Sequence, residues 1–158
     1  MPNSWKSGSK ENITLEDIFK ILSQVIINKN HKIIVGTDSV KLGYDFIFTN
    51  AICILNSEKY DRRYFYYREK FNDDSYLDLS KRLLKETSDS IDLAIKIRDK
   101  LTNVNIEIHA DVNPNSIHKS SKFKNMITGY ITGCGFEVKI KPCSFVASSI
   151  ADNHTRKC

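Results

Sequence analysis

Hydrophobic positions near the N-terminus recur at the spacing of an amphipathic helix. A threonine and, three residues later, an aspartate (Thr14 and Asp17) form a capping-box-like start in front of them. The pattern predicts a helix over residues 15–28. The apolar positions that carry it are Leu15, Ile18, Leu22, Val25 and Ile26.

Three strands are predicted after this helix. Residues 32–38 are rich in β-branched side chains and apolar on both faces, which is typical of a central strand buried on two sides. Residues 44–55 repeat that pattern, and residues 60–71 are aromatic and basic together. Because the connections between these segments are short and rich in turn residues, we expect an antiparallel meander.

The second half of the chain alternates helices with strands. Residues 75–101 carry a long helical pattern, in one or two pieces, and residues 104–111 alternate apolar and polar positions as a strand does. Residues 119–132 predict another helix, and residues 136–140 predict a fifth strand. A last helix is predicted over residues 144–156.

This order of elements predicts an α/β fold with a mixed sheet of five strands, flanked by helices and preceded by an extra helix. A right-handed crossover through the long helix makes the fourth strand parallel to the first. Residues 1–13 are polar and predict a flexible arm, whereas residues 14–158 predict one domain.

Composition and charge narrow the class of protein. Of the 158 residues, 41% are hydrophobic, but no apolar run approaches the roughly 18 residues that a membrane helix needs. No signal segment is visible, and the four cysteines form no zinc-binding pair. We therefore expect a cytoplasmic protein with reduced thiols and no membrane association. The net charge of +5 permits a nucleic-acid partner without requiring one.

Two aspartates lie at the ends of strands that are predicted to be parallel. Asp38 ends the first strand and Asp111 ends the fourth, and ligand sites in such sheets lie beyond the carboxyl ends of strands. If the two strands are neighbours, the carboxylates repel each other unless a divalent cation such as Mg²⁺ joins them. The alternative is that both aspartates cap loops, as Asp often does.

Two further acids lie on predicted helices. Glu86 falls at the edge of the apolar stripe that should face the sheet, where an ionised carboxylate needs a partner or a metal. Asp152 follows apolar positions in the last helix. The alternatives are that Glu86 reaches water at the border of the stripe and that Asp152 belongs to an ordinary helix end.

Several motifs together resemble those of the YkuK family of ribonuclease H-like proteins, once classed as a domain of unknown function. The resemblance spans about residues 15–156, and its late glycine-rich and Lys-Pro-x-Ser stretches are the most specific. The matching segments are residues 36–39, 86–94, 109–113, 129–136 and 141–152.

The resemblance implies a ribonuclease H-like fold with the strand order 3-2-1-4-5. It also implies a cluster of acids that is both catalytic and metal-binding, with Mg²⁺ or Mn²⁺ as the cofactor. These acids are Asp38, Glu86, Asp111 and Asp152. Polar residues in or near the same motifs are expected to support the acids or contact the substrate, namely Ser39, His109, His118, Lys141 and His154.

Basic residues cluster on the third strand and after the Asp111 loop. We predict that they bind the phosphates of a nucleic acid, while neighbouring tyrosines stack on its bases. The four residues are Arg62, Arg68, Lys119 and Lys122. The alternative for the third strand is a solvated sheet edge whose cations discourage pairing with other chains.

Three functions remain open from the sequence. The first is a metal-dependent nuclease that acts on RNA, DNA or a hybrid through an activated water and, as the resemblance implies, leaves a 3′-hydroxyl and a 5′-phosphate. The second is a non-catalytic module that binds nucleic acid or protein. The third is a metal-dependent activity on a small phosphorylated substrate.

Overall fold

The structure, a computed structural model, describes residues 4–27, 30–56, 61–144 and 146. The strands are β1 (Trp5–Ser7), β2 (Asn12–Ile13), β3 (His31–Leu42), β4 (Asp45–Asn56), β5 (Asp61–Phe71), β6 (Ile106–His109) and β7 (Glu137–Lys139). The helices are α1 (Leu15–Ile26), α2 (Leu79–Lys100) and α3 (Lys124–Gly133), with 3-10 turns at Asp74–Leu77 and Lys119–Phe123.

The strands of the described chain form one mixed sheet in the order β2-β1-β5-β4-β3-β6-β7. The five predicted strands lie consecutively within it, as β5-β4-β3-β6-β7, and β3 pairs in parallel with β6. The predicted number of five strands is nevertheless wrong, and the full order differs, because β1 and β2 extend the sheet beyond β5.

The two additional strands lie in the segment that we predicted to be a flexible arm. Trp5 has no exposed surface, and its ring packs edge-on against Tyr67 with centroids 4.5 Å apart. β1 pairs with β5, and Lys6 lies opposite Tyr66. Residues 5–7 and 12–13 are thus strands of the sheet, and burying one indole ring removes enough apolar surface to hold β1 in place.

Helix α1 begins at the predicted capping residue and ends slightly before the predicted limit. The amide of Asp17 donates to Thr14 Oγ1 at 3.1 Å, and the Thr14 hydroxyl donates to Asp17 Oδ2 at 2.7 Å. The first bond satisfies an amide that the first turn of a helix leaves without an intrahelical partner, and the second holds the two capping side chains together.

The long helical pattern divides into two pieces, which sets the position of Glu86. A 3-10 turn at Asp74–Leu77 comes first, and Asp78 then caps α2 by accepting from the amide of Ser80 at 2.9 Å. Helix α2 therefore starts after the turn, and its third turn brings Glu86 over the sheet.

The sheet has a hydrophobic core on each face. The larger core lies under α1, α2 and α3, and the smaller one contains Ile34, Ala51, Cys53, Tyr66 and Val146. The predicted last helix, together with Asp152 and His154, lies outside the described residues apart from Ser144 and Val146. Within the described residues, no helix is both long and apolar enough to span a membrane.

Candidate metal centre

Asp38 and Asp111 lie where the parallel pairing between β3 and β6 ends. Gly36 and His109 are the last registered pair of these strands, and each acid comes two residues further along its own chain. Neighbouring strands are about 4.8 Å apart. One detail of the prediction is wrong, because β3 continues to Leu42 and Asp38 lies within the strand, opposite Thr49 of β4.

The residues on either side of Asp38 face α2. Thr37 Oγ1 lies 2.8 Å from Ser90 Oγ, and Ser39 Oγ donates to Glu86 Oε1 at 2.5 Å. Successive side chains of a strand point to opposite faces of the sheet. The side chain of Asp38 therefore belongs to the face opposite α2, and that carboxyl group is also buried.

Glu86 is buried against the sheet, with 8% of its surface exposed, so it does not reach water as the alternative required. Burial raises the pKa of Glu86 to about 8, and the negative charge of Asp111 acts in the same direction. The hydrogen bond from Ser39 opposes this shift of the pKa, because it stabilises the ionised carboxylate.

Glu86 and Asp111 line the same small cavity, together with Thr37, Ser90 and His109. The cavity measures about 10 Å³, which is at the lower limit of what is needed to hold one water molecule. Lys141 closes the site from the chain after β7, and its Nζ lies 2.5 Å from Asp111 Oδ1. Two carboxyl groups and one ammonium group therefore meet at this edge of the sheet.

The predicted acids are thus only partly assembled. Glu86 and Asp111 line the same cavity, whereas the side chain of Asp38 lies on the opposite face of the sheet. In the part of the chain that the structure describes, no group of three His, Cys, Asp or Glu residues is arranged to hold a metal ion. Asp152 lies outside that part. Oxygen ligands of this kind suit hard divalent ions such as Mg²⁺ and Mn²⁺.

A buried network of neutral polar groups supports the site, and the sequence did not reveal it. Thr37 Oγ1 donates to Asn50 Oδ1 at 2.8 Å, and its bond with Ser90 continues the chain of contacts to α2. Asn50 is fully buried on β4. The network fixes β3 and α2 relative to each other beneath Glu86. Buried Thr, Asn and Ser side chains within otherwise apolar segments were the signal for it.

His109 is also buried, and it contacts an acid that we did not predict. Its Nε2 lies 2.6 Å from Glu107 Oε1, and Lys32 Nζ donates to the other oxygen of Glu107 at 3.1 Å. Burial lowers the pKa of His109, so the ring is neutral near pH 7. The pKa of Glu107 lies below its usual range, because hydrogen bonds from His109 and Lys32 outweigh the opposing effect of burial.

Arg68 and Arg62 lie at very different places relative to the acids. Arg68 of β5 lies opposite Thr49 of β4, and Thr49 lies opposite Asp38 of β3. The three side chains therefore share one row and one face of the sheet. Arg62 lies six positions away on β5, roughly 20 Å along the strand, in the row of Lys32 at the other end of β3.

The remaining predicted contacts lie after the Asp111 loop. His118, Lys119 and Lys122 are exposed on or next to the second 3-10 turn. The hydroxyl of Ser120 ties this turn back to the loop by accepting from the amide of Asn113 at 3.1 Å. The turn is thus attached to the loop that carries Asp111, and its basic side chains remain at the surface.

A comparison with protein families identifies the group to which this site belongs. A family model described as Ribonuclease H-like matches residues 14–156. The chain belongs to the ribonuclease H-like family. The resemblance to the YkuK branch is thereby confirmed. No curated protein matches the sequence.

Proposed function

We propose that this ribonuclease H-like protein is a divalent-metal-dependent nuclease that hydrolyses phosphodiester bonds in RNA, DNA or a hybrid. The observation that carries the proposal is the convergence of Glu86 and Asp111 on one cavity at the edge where β3 and β6 part. The resemblance adds Asp38, which like Asp111 lies two residues beyond the last registered pair of these strands, but on the face of the sheet opposite Glu86. Family membership adds a fold that is shared with nucleases.

The charge balance of the site favours binding of a cation. Glu86 is buried and lies near the negative charge of Asp111, so its ionised form is disfavoured without additional positive charge. A divalent ion held by Glu86 and Asp111 would supply that charge, activate water and stabilise negative charge on a phosphate. Ser39 would orient the Glu86 carboxylate for this role through its hydrogen bond.

Arg68 supports a polyanionic substrate. It shares a row of the sheet with Asp38 and is separated from it by one strand, so the two side chains are about 10 Å apart at their backbones. An arginine at this distance from Asp38 can hold a phosphate group of a nucleic acid that passes over this face of the sheet. Lys119 and Lys122 at the surface would extend the basic track beyond the Asp111 loop.

A non-catalytic nucleic-acid-binding module is the second candidate, and a specific contact favours it. Lys141 already neutralises Asp111, and among the described residues no three metal-binding side chains are assembled. A protein that keeps the fold but uses an internal lysine instead of a metal would bind nucleic acid through the same cations without cleaving it.

Cleavage of labelled oligonucleotides distinguishes the two candidates. Single-stranded, duplex and hybrid substrates would be incubated with wild type, Asp38→Asn, Asp111→Asn and the exposed control Asp99→Asn, each with Mn²⁺, Mg²⁺ or a chelator. The nuclease predicts metal-dependent cleavage that the first two substitutions abolish and the control retains. Binding without cleavage under all conditions would support the second candidate, and cleavage that survives in both site variants would refute the proposed site.

A further inference from the structure

Glu107 and His109 form a buried polar pair on the strand that leads to Asp111. They occupy alternate positions of β6 and are 4% and 1% exposed, respectively. Lys32 on the neighbouring strand β3 compensates the charge of Glu107 at 3.1 Å. Burying such a pair within a sheet carries a desolvation cost, which hydrogen bonds must offset.

The second ring nitrogen of His109 faces the chain that follows β7. The backbone amide of Val146 donates to His109 Nδ1, and the two nitrogen atoms are 3.3 Å apart. A backbone N–H can only donate, so Nδ1 carries no proton in this arrangement. The ring proton is therefore on Nε2, where it is donated to Glu107. With both nitrogens engaged, the ring is not available as a general base.

Val146 is an anchor point on the face of the sheet that also includes Asp38. It has no exposed surface and packs in the smaller core with Ile34 and Tyr66. The chain turns towards it after β7, where the amides of Cys143 and Ser144 both donate to the carbonyl of Ile140. His109 thus connects the end of β6, two residues before Asp111, to the chain beyond Lys141.

We propose that His109 is a positioning residue whose Nδ1 holds the chain at Val146 against β6, while Glu107 keeps the ring in the tautomer that can accept this bond. The anchor fixes the path of the chain that presents Lys141 to Asp111. Its consequence for metal binding rests on the proposed function, but the hydrogen-bonding role itself does not.

Two substitutions separate the two hydrogen bonds of the ring. The amide oxygen of His109→Asn is placed like Nδ1 and can still accept from Val146. The amide nitrogen of His109→Gln is placed like Nε2 and can still donate to Glu107 but offers nothing to Val146. Since one hydrogen bond is lost, we expect hydrogen exchange at the Val146 amide to be about five- to tenfold faster in His109→Gln than in wild type. In His109→Asn it should stay close to the wild-type rate.

Nitrogen-15 NMR of the imidazole rings tests the tautomer in the wild-type protein, with the exposed His118 as an internal reference. We expect the proton of neutral His109 on Nε2. A proton on Nδ1, or equal exchange rates at Val146 in the two variants, would overturn the proposal.

Mn²⁺ titration of the same proteins tests the link to the metal site. The positioning role predicts tighter Mn²⁺ binding in His109→Gln than in His109→Asn, because Lys141 is then presented less firmly to Asp111 and competes less with the ion. If the two variants bind Mn²⁺ equally although the Val146 amide exchanges faster in His109→Gln, His109 does not position the metal site. A wild-type protein that binds no Mn²⁺ would instead refute the proposed function, while the NMR results would still decide whether His109 anchors the chain.

Discussion

Ser39 on β3 donates its hydroxyl to the buried carboxyl group of Glu86 on α2, across an Oγ–Oε1 distance of 2.5 Å. The bond joins the central strand to the helix at the edge where Asp111 also arrives. Burial raises the pKa of Glu86, and this hydrogen bond lowers it by stabilising the ionised carboxylate. A metal ion would need Glu86 as an ionised carboxylate, but the burial of this side chain favours the protonated form.

The raised pKa of Glu86 predicts how stability depends on pH. Between its ordinary value of 4.5 and about 8, the unfolded chain releases a proton that the folded protein keeps. The free energy of unfolding of the metal-free protein should therefore fall as pH rises through this window and level off above it. Glu86→Gln removes this contribution and should be more stable than wild type at pH 8, by on the order of 4 kcal/mol.

Urea denaturation with a chelator at pH 5 and pH 8 measures this difference. Asp99→Asn, on the exposed side of the same helix, should follow the wild type at both pH values. A Glu86→Gln variant that loses stability in parallel with the wild type would show that Glu86 is ionised in the metal-free protein.

Removing the Ser39 hydroxyl should move the pH dependence of metal binding. Without the hydrogen bond, the pKa of Glu86 rises further, so the carboxylate forms only at higher pH. For Ser39→Ala we expect the pH midpoint of Mn²⁺ binding to rise by about one unit. Ser39→Thr keeps a hydroxyl group and should stay closer to the wild type. An unchanged pH midpoint in Ser39→Ala would show that this hydrogen bond has no effect on metal binding.

Lys141 should compete with a metal ion for Asp111. The ammonium group is already in contact with the carboxylate, so a metal must displace it. Partly exposed ion pairs contribute up to about 1 kcal/mol, and Lys141→Met should therefore bind Mn²⁺ about fivefold more tightly than wild type. Lys139→Met, an exposed lysine two residues earlier, serves as the control in the same calorimetric titration. Weaker binding in Lys141→Met would instead mean that Lys141 helps to build the site.

Trp5 should be essential to the stability of the sheet edge. Its fully buried ring packs on Tyr67, so Trp5→Ala should lower the free energy of unfolding by about 3–5 kcal/mol. Lys6→Ala, at the exposed position next to Trp5, is the matched control and should lower the free energy of unfolding much less. Equal, small losses in both variants would mean that β1 contributes little to the fold.

The sequence predicted the central part of the fold because its strands have strong two-sided apolar patterns and short connections. The parallel pairing of β3 with β6 followed from the handedness of the crossover and was observed. β1 and β2 were missed because they have three and two residues, respectively, in a polar segment. Periodicity cannot reveal strands so short, and only the isolated Trp5 indicated burial.

The sequence indicates on which elements the candidate acids lie, but not in which direction their side chains point. Glu86 was expected to face the sheet, and it does. Asp38 and Asp111 were expected at one edge, but the side of the sheet that each carboxylate occupies depends on local register, which spacing alone does not determine. The contacts of Glu107 with Lys32, and of His109 with Val146, join residues far apart in the sequence, and no local pattern signals them.

Mn²⁺ binding measured by electron paramagnetic resonance tests the central claim most directly. The experiment compares the wild type with Glu86→Gln, Asp111→Asn and the control Asp99→Asn at pH 8, and counts the free ion during titration. We predict saturable binding by the wild type and the control, with at least about tenfold weaker binding in the two site variants. Absence of binding by the wild type, or equal binding by all four proteins, would contradict the account.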